Sequence, residues 1–423
     1  MNRNISRSVL AGLLALSLAS AQAQPEQAVD ADYQAFLQAQ GEASWINANA
    51  EHPLANEAYR PIPPLASFPA DTAKRDLGFA LFHDSSLSRD GTVGCNSCHM
   101  GMMGGTDGLQ VARGIDDASG LRNTPTVFNS AFNFRQFWDG RAFDLDTQAL
   151  EPISNPVEMG HDLDAVVASL RNNPRYTALF AQAYPDGVTA ANLGNALAQH
   201  LKDMTRTDSA FNNYLSGKGE PLSEQAQRGQ ERFNALGCVA CHNGINLGGN
   251  SYQPVASRFT TALQYAMAGE EGLAARSGRE EDRLVFKVPQ LHNVAMTAPY
   301  YHDGSVATLE DAIRRMAAQQ SGRSISEQDV ADIGAFLDSL SSAFFGGMQG
   351  MGGGRMQQMM REQMPDRMGQ GGGMGQGGMM RGGQHQQMHQ QHMQQMQRMQ
   401  HEHPGQDEAT DAVPANEHQH GGV

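Results

Sequence analysis

Apolar and polar residues alternate with a helical period in two stretches of the chain that lie far apart in sequence. FPADTAKRDLGFALF (68–82) and SEQAQRGQERFNALG (223–237) both carry apolar residues at the spacing of an amphipathic helix. Each stretch leads into a Gly-Cys pair. The pattern therefore predicts two helices in equivalent positions, and two related helical domains in tandem within a mostly α fold.

The N-terminus has a different pattern, in which a short apolar run follows basic residues. Two arginines precede VLAGLLALSLA (9–19), which is too short to span a bilayer, and the triplet Ala-Gln-Ala ending at Ala23 has the form of a cleavage site. We interpret residues 1–23 as a secretory signal peptide, with a lipid or membrane anchor as the weaker alternative. Since no later stretch is long and apolar enough to cross a membrane, we expect a soluble protein exported to the periplasm.

The charge balance narrows the class of partner. The formal net charge is −15, and removal of residues 1–23 takes away two arginines and no acid, which leaves about −17. A strongly acidic chain repels nucleic acid, so no nucleic-acid partner is expected. A basic protein partner remains compatible with this charge.

All four cysteines of the chain lie in two copies of one pattern. The copies are GCNSCHM (94–100) and GCVACHN (237–243). A zinc ribbon with four cysteines would bring its two pairs to within roughly 15–20 residues of each other, and a thioredoxin-like dithiol would not need the adjoining His. Cys-x-x-Cys-His is instead the attachment signature of c-type haem.

The spacing suits covalent attachment of haem. Two thioethers fix one edge of the porphyrin across a helical turn, and the next residue presents its imidazole to the iron. A single copy would leave open a zinc or disulfide half-site, whereas two copies that use every cysteine of an exported chain favour two haems. The predicted haem-binding residues are Cys95, Cys98, His99, Cys238, Cys241 and His242.

Two longer stretches carry more than a generic cytochrome pattern. They are RNTPTVFNSAFNFRQFWDGRAFDLDTQALEPISNPVEMG (122–160) and FKVPQLHNVAMTAPYYHDGSVATLEDAIRRM (286–316). Together with the two cysteine motifs, they closely resemble the bacterial di-haem cytochrome c peroxidase family, which includes the MauG-type enzymes. The resemblance covers roughly 60–343 and implies two tandem cytochrome c-like domains with one covalent haem each, which we place at 60–205 and 206–343, after an N-terminal extension over 24–59.

The resemblance assigns different tasks to the two haems. It implies that the haem on His99 is peroxidatic, binding hydrogen peroxide, and that the haem on His242 takes up electrons from a donor. Met316, within AIRRM, falls where the family places a Met ligand to the second iron, and a His/Met pair raises the reduction potential. Taken alone, Met316 would be interpreted as a core residue of an amphipathic helix.

The same resemblance implies three further catalytic side chains. Gln148 and Glu158 match the pair that the family places over the peroxidatic iron. A carboxylate there can take a proton from one peroxide oxygen and return it to the other, while an amide can orient the peroxide. Without the resemblance, Glu158 would be a solvated charge near a turn. Trp138 matches the family's tryptophan between the haems, where an indole can relay an electron, and a core aromatic is the alternative.

The resemblance also implies a calcium ion between the domains. Asn123, Thr297 and Pro299 match the family's calcium-binding positions, with a side-chain oxygen from Asn and backbone carbonyls from the other two. Hard oxygen ligands of this kind fit calcium. The partners implied are hydrogen peroxide and a small electron donor, either a cytochrome c or a cupredoxin, and a homodimer is left open.

One position departs from the family pattern. Many members close the resting peroxidatic haem with a distal His on the loop after the first motif, but VARGIDD has Ile115 there and no His lies between His99 and His161. Because Ile cannot ligate iron, we predict an open peroxidatic haem that needs no reductive activation. MauG-type enzymes are also open, but they replace the Met on the second haem, so Met316 favours an ordinary peroxidase.

The composition changes after about residue 345 to Gly, Gln, Met and His. Such a segment cannot bury a core, so a disordered tail is predicted over 344–423. The composition also allows a short helix over 384–400. Met thioethers favour Cu(I) and His suits Cu(II), so copper capture is one interpretation of the tail. A sacrificial sink for oxidants and a plain low-complexity tether are the others.

The sequence therefore predicts a periplasmic di-haem enzyme that reduces hydrogen peroxide to water with electrons from a small redox protein. A MauG-like enzyme that oxidises aromatic residues of a partner protein, linked to copper handling, is the first alternative. A non-catalytic di-haem electron carrier is the second. The carrier explains two haems but not Gln148, Glu158 and an unligated first iron.

Overall fold

Residues 58–64, 71–255 and 270–345 are described by the computed structural model of the chain. The predicted signal peptide, almost all of the extension over 24–59 and the Met/His-rich tail lie outside these ranges, so the interpretations made of them stay predictions. Within the described ranges the regular structure is mainly helical, as expected. No helix there has both the length and the apolar character needed to cross a membrane.

Twelve α-helices occur in the described part of the chain, and one small sheet accompanies them. The sheet pairs β1 (Tyr252–Pro254) with β2 (Val285–Lys287) in antiparallel register, with Gln253 opposite Phe286. In chain order the helices are α1 Thr72–Phe82, α2 Cys95–Cys98, α3 Leu145–Gln148, α4 Glu151–Ser154, α5 Leu163–Asn172, α6 Pro174–Ala183, α7 Ala190–Asp203, α8 Ala210–Leu215, α9 Glu224–Ala235, α10 Ala274–Ser277, α11 Leu309–Ser321 and α12 Glu327–Asp338.

The two helices predicted ahead of the cysteine motifs are confirmed as α1 and α9. Each begins at a polar N-cap residue that accepts a hydrogen bond from an otherwise unsatisfied backbone N–H. Asp71 accepts from the amide of Lys74, and Ser223 accepts from the amide of Ala226. Caps of this kind stabilise a helix by about 1 kcal/mol, so the local sequence sets where both helices start.

Each of these helices crosses a later helix at a glycine. A β-carbon on Gly78 of α1 would lie 1.9 Å from the Ala196 carbonyl oxygen of α7, and one on Gly229 of α9 would lie 1.9 Å from the Asp332 carbonyl oxygen of α12. Only a residue without a side chain permits such an approach. The same crossing thus occurs in both halves. The domain limits 60–205 and 206–343 stay a prediction, since all described residues belong to one compact unit.

Two separate hydrophobic clusters accompany the two crossings. The first is built around α1 and α7 and includes the fully buried Leu77, Leu81 and Leu197, with Cys95 packed against it. The second is built around α9 and α12, with Cys238 packed against it. Burying one such side chain contributes roughly 1.5–3 kcal/mol, so each cysteine motif rests on a core of its own.

A buried polar network joins the two halves. The side-chain amide of Asn246 donates to the Asn129 carbonyl oxygen at 2.9 Å and to the Gln290 side-chain oxygen at 3.0 Å. Gln290 in turn donates to the carbonyl oxygen of Phe128. Because buried polar groups are costly when unpaired, these bonds fix the 128–133 segment of the first half against the second half.

Candidate active site and the two haem-binding motifs

The first cysteine motif forms the single turn α2, and His99 follows it directly. The Nδ1 atom of His99 lies 3.1 Å from the carbonyl oxygen of Gly105. Since a carbonyl can only accept, Nδ1 carries the proton and Nε2 keeps its lone pair for a metal. Burial lowers the pKa of His99, which favours the neutral imidazole that iron ligation requires.

The second motif repeats this arrangement with a different local backbone. Its cysteines lie on a one-turn 3₁₀ helix, Cys238–Ala240, rather than on an α-helix, because Gly237 adopts a left-handed φ of 82° that separates the motif from α9. Nδ1 of the buried His242 donates to the carbonyl oxygen of Leu247 at 3.2 Å. Burial lowers the pKa of His242 to about 4.

The two motifs therefore fit the group that their sequence implies. In both, burial lowers the pKa of the imidazole, and a backbone carbonyl within hydrogen-bond distance of Nδ1 orients the ring and leaves Nε2 for a metal. None of the four cysteines forms a disulfide, so each pair offers two thiols for thioether bonds. This donor set fits a c-type haem at each motif.

A cavity lies beside the first motif, and core residues such as Phe82 and Leu197 form part of its lining. Its volume is about 200 Å³, and it opens to solvent. The three predicted catalytic side chains and the first motif all line it. The residues concerned are Cys95, Cys98, His99, Trp138, Gln148 and Glu158. The structure thus brings them together, while their roles stay predictions.

Glu158 is half-buried and held in place from two sides. The side-chain amide of Asn155 donates to Glu158 Oε1 at 2.7 Å, and the Glu158 amide donates to the Asn155 carbonyl oxygen at 3.0 Å. Burial raises the pKa of Glu158, the positive charge of Arg141 and the Asn155 bond oppose that rise, and the charge of Glu151 supports it. A carboxyl with a raised pKa beside a cavity suits proton transfer.

Gln148 is the last residue of the single-turn helix α3. Asp144 caps this helix by accepting from the amide of Thr147, and Leu145 and Ala149 are buried on its inner side. The helix ends at Gln148, whose half-buried side chain lines the cavity. The chain turns at once into α4, which leads to the Glu158 segment, so the amide and the carboxyl reach one cavity from consecutive short helices.

Trp138 lies between this cavity and the second half of the chain. Its Nε1 donates to the Asn123 carbonyl oxygen at 2.9 Å, and its own carbonyl accepts from the amide of Lys287 in β2 at 2.8 Å. Its ring meets His302 edge to face, with centroids 6.5 Å apart, and His302 stacks on Phe286 at 4.3 Å. An aromatic group therefore spans the distance from the cavity to β2.

Of the predicted calcium residues, Asn123 contacts the chain just beyond Pro299 at the same junction. The side-chain nitrogen of Asn123 donates to the Leu109 and Gln110 carbonyl oxygens, which leaves its side-chain oxygen as the acceptor for another group. Its backbone amide donates to the His302 carbonyl oxygen at 2.8 Å, three residues beyond Pro299. Thr297 precedes Pro299 in the same irregular segment, and its side chain is half-buried.

Met316 lies on α11, and its side chain is half-buried. Ile313, one turn earlier, belongs to the same hydrophobic cluster as Phe233 and Leu247. The Phe233 ring lies 6.3 Å from the His242 ring, and Leu247 supplies the carbonyl that orients it. The helix that carries Met316 therefore packs on the cluster that surrounds His242.

Two supporting residues have roles that the sequence did not reveal: His292, which departs from the family pattern, and Arg141. His292 is buried, and its Nε2 donates to the Ile245 carbonyl oxygen at 2.8 Å, which steadies the loop that supplies the carbonyl for His242. Arg141 lines the cavity, pairs with Glu151 at 2.7 Å and lowers the pKa of Glu158. Both residues lie in the two stretches that resemble the family, but the sequence does not show which groups they contact.

Known proteins similar to this chain point in one direction. The family model described as "Di-haem cytochrome c peroxidase" matches residues 72–220. The chain is 41% identical to cytochrome c peroxidase Ccp of Escherichia coli K12 over 70% of this chain and 63% of that protein, which is just under two thirds of its length. It is 40% identical to cytochrome c551 peroxidase of Pseudomonas aeruginosa over 70% of this chain and 87% of that protein.

A solved structure agrees with these relatives. The crystal structure of a MauG-like protein associated with microbial copper homeostasis superposes with a TM-score of 0.58 at 27% identity, covering 67% of this chain and 93% of that one. The two motifs, the shared cavity and the extent of the match to the Pseudomonas peroxidase converge on one conclusion. The chain belongs to the bacterial di-haem cytochrome c peroxidase family.

Proposed function

We propose that this protein reduces hydrogen peroxide to water, using electrons that a small redox protein delivers one at a time in the periplasm. One observation carries the proposal: the first haem-binding motif, Gln148 and Glu158 line a single cavity. Identity of 40% to a cytochrome c551 peroxidase supports it. The balance is one peroxide, two protons and two electrons for two waters.

The residues that would hold the first haem are Cys95 and Cys98, by thioether bonds, and His99, by its Nε2 atom. When bound, this haem supplies an iron that takes peroxide and accepts electrons. The protein contributes two polar side chains to the same cavity. Glu158 accepts a proton from one peroxide oxygen and returns it to the departing oxygen, while the Gln148 amide orients the peroxide.

Electrons would arrive at the second motif and cross to the first by way of Trp138. His242 and Met316 would hold the second iron, and a Met ligand would raise its reduction potential, which suits an electron acceptor. Trp138 supports this route because its ring lines the first cavity and its carbonyl bonds to β2. The chain's net charge of −15 favours a basic donor, either a cytochrome c or a cupredoxin.

The first iron would rest without a distal protein ligand, because Ile115 occupies the matching position of the loop. Ile115 is buried, at 1% exposure, and it is not among the residues that line the cavity. The resting, fully oxidised holoprotein should therefore show one high-spin and one low-spin haem. Two six-coordinate low-spin haems would contradict an open first site.

Calcium would sit at the junction of the two halves. The side-chain oxygen of Asn123 and the carbonyls of Thr297 and Pro299 would be its protein ligands, with water completing the shell. The approach of Asn123 to the segment that follows Pro299 supports the site. Metal analysis of the holoprotein before and after dialysis against a chelator tests it, and a holoprotein that never carries calcium would contradict it.

The decisive experiment is peroxide turnover by the fully oxidised holoprotein, followed as oxidation of a reduced small cytochrome. Immediate turnover with two donors oxidised per peroxide supports the peroxidase. A long-lived oxidised state with little donor consumed would indicate the MauG-like alternative, and no reaction with peroxide would indicate the electron carrier. The likeness to a MauG-like protein associated with copper homeostasis favours keeping that alternative.

Copper binding by the tail is a separate proposal, based on its Met and His content. Full-length holoprotein and a form ending at residue 345 would be titrated with Cu(I) against a competing chelator. Greater uptake by the full-length protein supports copper capture. Equal uptake by both forms would exclude it and leave the oxidant sink or the tether.

A further inference from the structure

The loop over residues 112–120 lies directly against the backbone that carries Glu158. The amide of Ile115 donates to the Glu158 carbonyl oxygen at 2.9 Å. A β-carbon on Gly114 would lie 2.3 Å from the carbonyl oxygens of both Val157 and Glu158. The two backbones are therefore in van der Waals contact at Gly114, and no side chain other than hydrogen fits between them.

Ile115 anchors the loop beneath the same segment. Its side chain is 1% exposed, and its Cδ1 atom would lie 2.4 Å from a β-carbon added to Gly160. The apolar side chain thus fills the space under the turn that follows Glu158, and it does not face the cavity. Leaving this position would expose the Ile side chain to water, so burial resists movement of the loop.

The outer side of the loop is tied to the same region. Arg113 pairs with Asp117 within the loop at 2.9 Å, and Arg89 pairs with Asp116. The backbone amide of Arg89 also donates to the Met159 carbonyl oxygen at 2.9 Å. Arg89 therefore connects the loop to the residue directly after Glu158, by a route independent of Gly114.

We propose that the 112–120 loop is a positioning element for Glu158, with Gly114 as its contact point and Ile115 as its anchor. The inference rests on the proposed function, in which Glu158 moves a proton. Asn155 holds the Glu158 carboxyl and amide, and the loop holds the Glu158 carbonyl, so rotation of this peptide would break bonds on both sides. Where many relatives place a ligand that leaves, this chain has a fixed support.

A pair of matched variants tests the contact in the holoprotein. Gly114→Ala adds a β-carbon where backbone atoms lie at 2.3 Å, although its φ of −107° and ψ of −153° suit alanine, so the clash is the only cause of strain. Gly120→Ala adds the same atom to the same loop, where the nearest atom is the Ala112 carbonyl oxygen at 3.5 Å. That control makes an ordinary contact.

Hydrogen exchange gives a readout that does not need turnover. In Gly114→Ala, amide exchange should accelerate about tenfold or more in both the 112–120 and the 153–160 segments, because each supports the other. In Gly120→Ala, neither segment should change. Ile115→Ala, which removes the anchor and leaves Gly114 intact, should give the same paired acceleration. Acceleration confined to the 112–120 loop in both variants would overturn the proposal.

A double-mutant cycle connects the loop to the chemistry. Gly114→Ala alone should lower kcat about 10–100-fold with an unchanged KM for the donor, since small misplacement of a reacting group is costly. In a Glu158→Gln background the same change should cost less than about twofold, because the group it positions is already gone. Equal losses in both backgrounds would show that the loop does not act through Glu158.

The two readouts separate this inference from the proposed function. If the wild-type holoprotein does not turn over peroxide, the proposed function fails, and hydrogen exchange still decides whether the loop and the Glu158 segment move together. If turnover is normal but the cycle is additive, the function stands and the positioning role fails.

Discussion

The two cysteine motifs have the same sequence pattern and the same proximal arrangement, but their surroundings differ. In both, a backbone carbonyl five or six residues further along orients the histidine, Leu247 for His242 and Gly105 for His99. The first motif then faces a cavity lined by an amide and a carboxyl. The second lies against an apolar cluster that includes Phe233. The motif thus determines the cysteines and the oriented histidine, but not the residues around them.

The segments around the two motifs differ. Around the first site, α3 and α4 bring Gln148 and Glu158 to the cavity, and Arg141 adds a positive charge. Around the second, α11 packs its apolar face on the motif's own core. Proton transfer is the task proposed for the first half and electron uptake the task proposed for the second. A carboxyl at the first cavity and an apolar cluster at the second motif are consistent with that division.

The largest effect is expected when the Glu158 carboxyl is removed from the first site. Glu158→Gln keeps the size of the side chain but removes its acid–base function, and we expect kcat for peroxide to fall about 10²–10⁴-fold. Reduction of the second haem by the donor should be unchanged, which stopped-flow absorbance would show. Glu151→Gln, the same change on the same segment but outside the cavity lining, is the control and should lose less than about tenfold. Equal turnover by Glu158→Gln and wild type would remove Glu158 from the mechanism.

The second site can be changed without touching the first. Under the proposed ligation, Met316→Leu removes the thioether ligand, so the reduction potential of the second haem should fall and turnover should drop about tenfold. Peroxide binding at the first site should be unaffected. Met204→Leu, which makes the same substitution at a buried position of the first core, should cost less than about 1.5 kcal/mol and leave the potential unchanged. A potential that does not move in Met316→Leu would mean that another group ligates the second iron.

The acid limit of activity reports the charge environment of the first site. Glu158 must be ionised to accept a proton, and burial raises its pKa above the ordinary value of 4.5, so turnover should already decline at a pH above that value. Arg141 lowers this pKa, so Arg141→Gln should move the decline to higher pH. Glu151 raises it, so Glu151→Gln should move the decline to lower pH. Profiles of kcat against pH that shift together, or not at all, would contradict this assignment.

Local sequence determined a large part of the fold. The helices α1 and α9 were predicted from apolar periodicity, because a packed amphipathic helix needs that period, and both are confirmed. The tandem pattern was visible in the repeated Cys-x-x-Cys-His motif. The shared glycine crossing was not, because Gly78 and Gly229 become informative only once α7 and α12 are known to pass over them.

The site was predictable in its residues but not in its support. Gln148, Glu158 and Trp138 came from a resemblance, and the structure places them at one cavity. The support for Glu158 depends on an irregular loop whose contact at Gly114 joins residues more than 40 positions apart. Such contacts leave no periodic signal, because neither the loop nor its partner forms an α-helix or a strand. For the same reason the sequence showed a change at Ile115 but not what the isoleucine does.

The smallest expected effect lies where the two regions meet. Trp138→Phe keeps an aromatic ring but removes the indole and its bond to the Asn123 carbonyl oxygen, so the free energy of unfolding should fall by about 1–3 kcal/mol. If Trp138 relays electrons, transfer from the second haem to the first should slow several-fold, while donor oxidation and peroxide binding stay at wild-type rates. Tyr252→Phe, at a nearby hydroxyl that bonds to the Gly140 carbonyl oxygen, is the control for stability alone. Unchanged electron transfer in a destabilised Trp138→Phe protein would mean that the indole serves packing alone. Electrons would then pass between the two halves by a path that does not include Trp138.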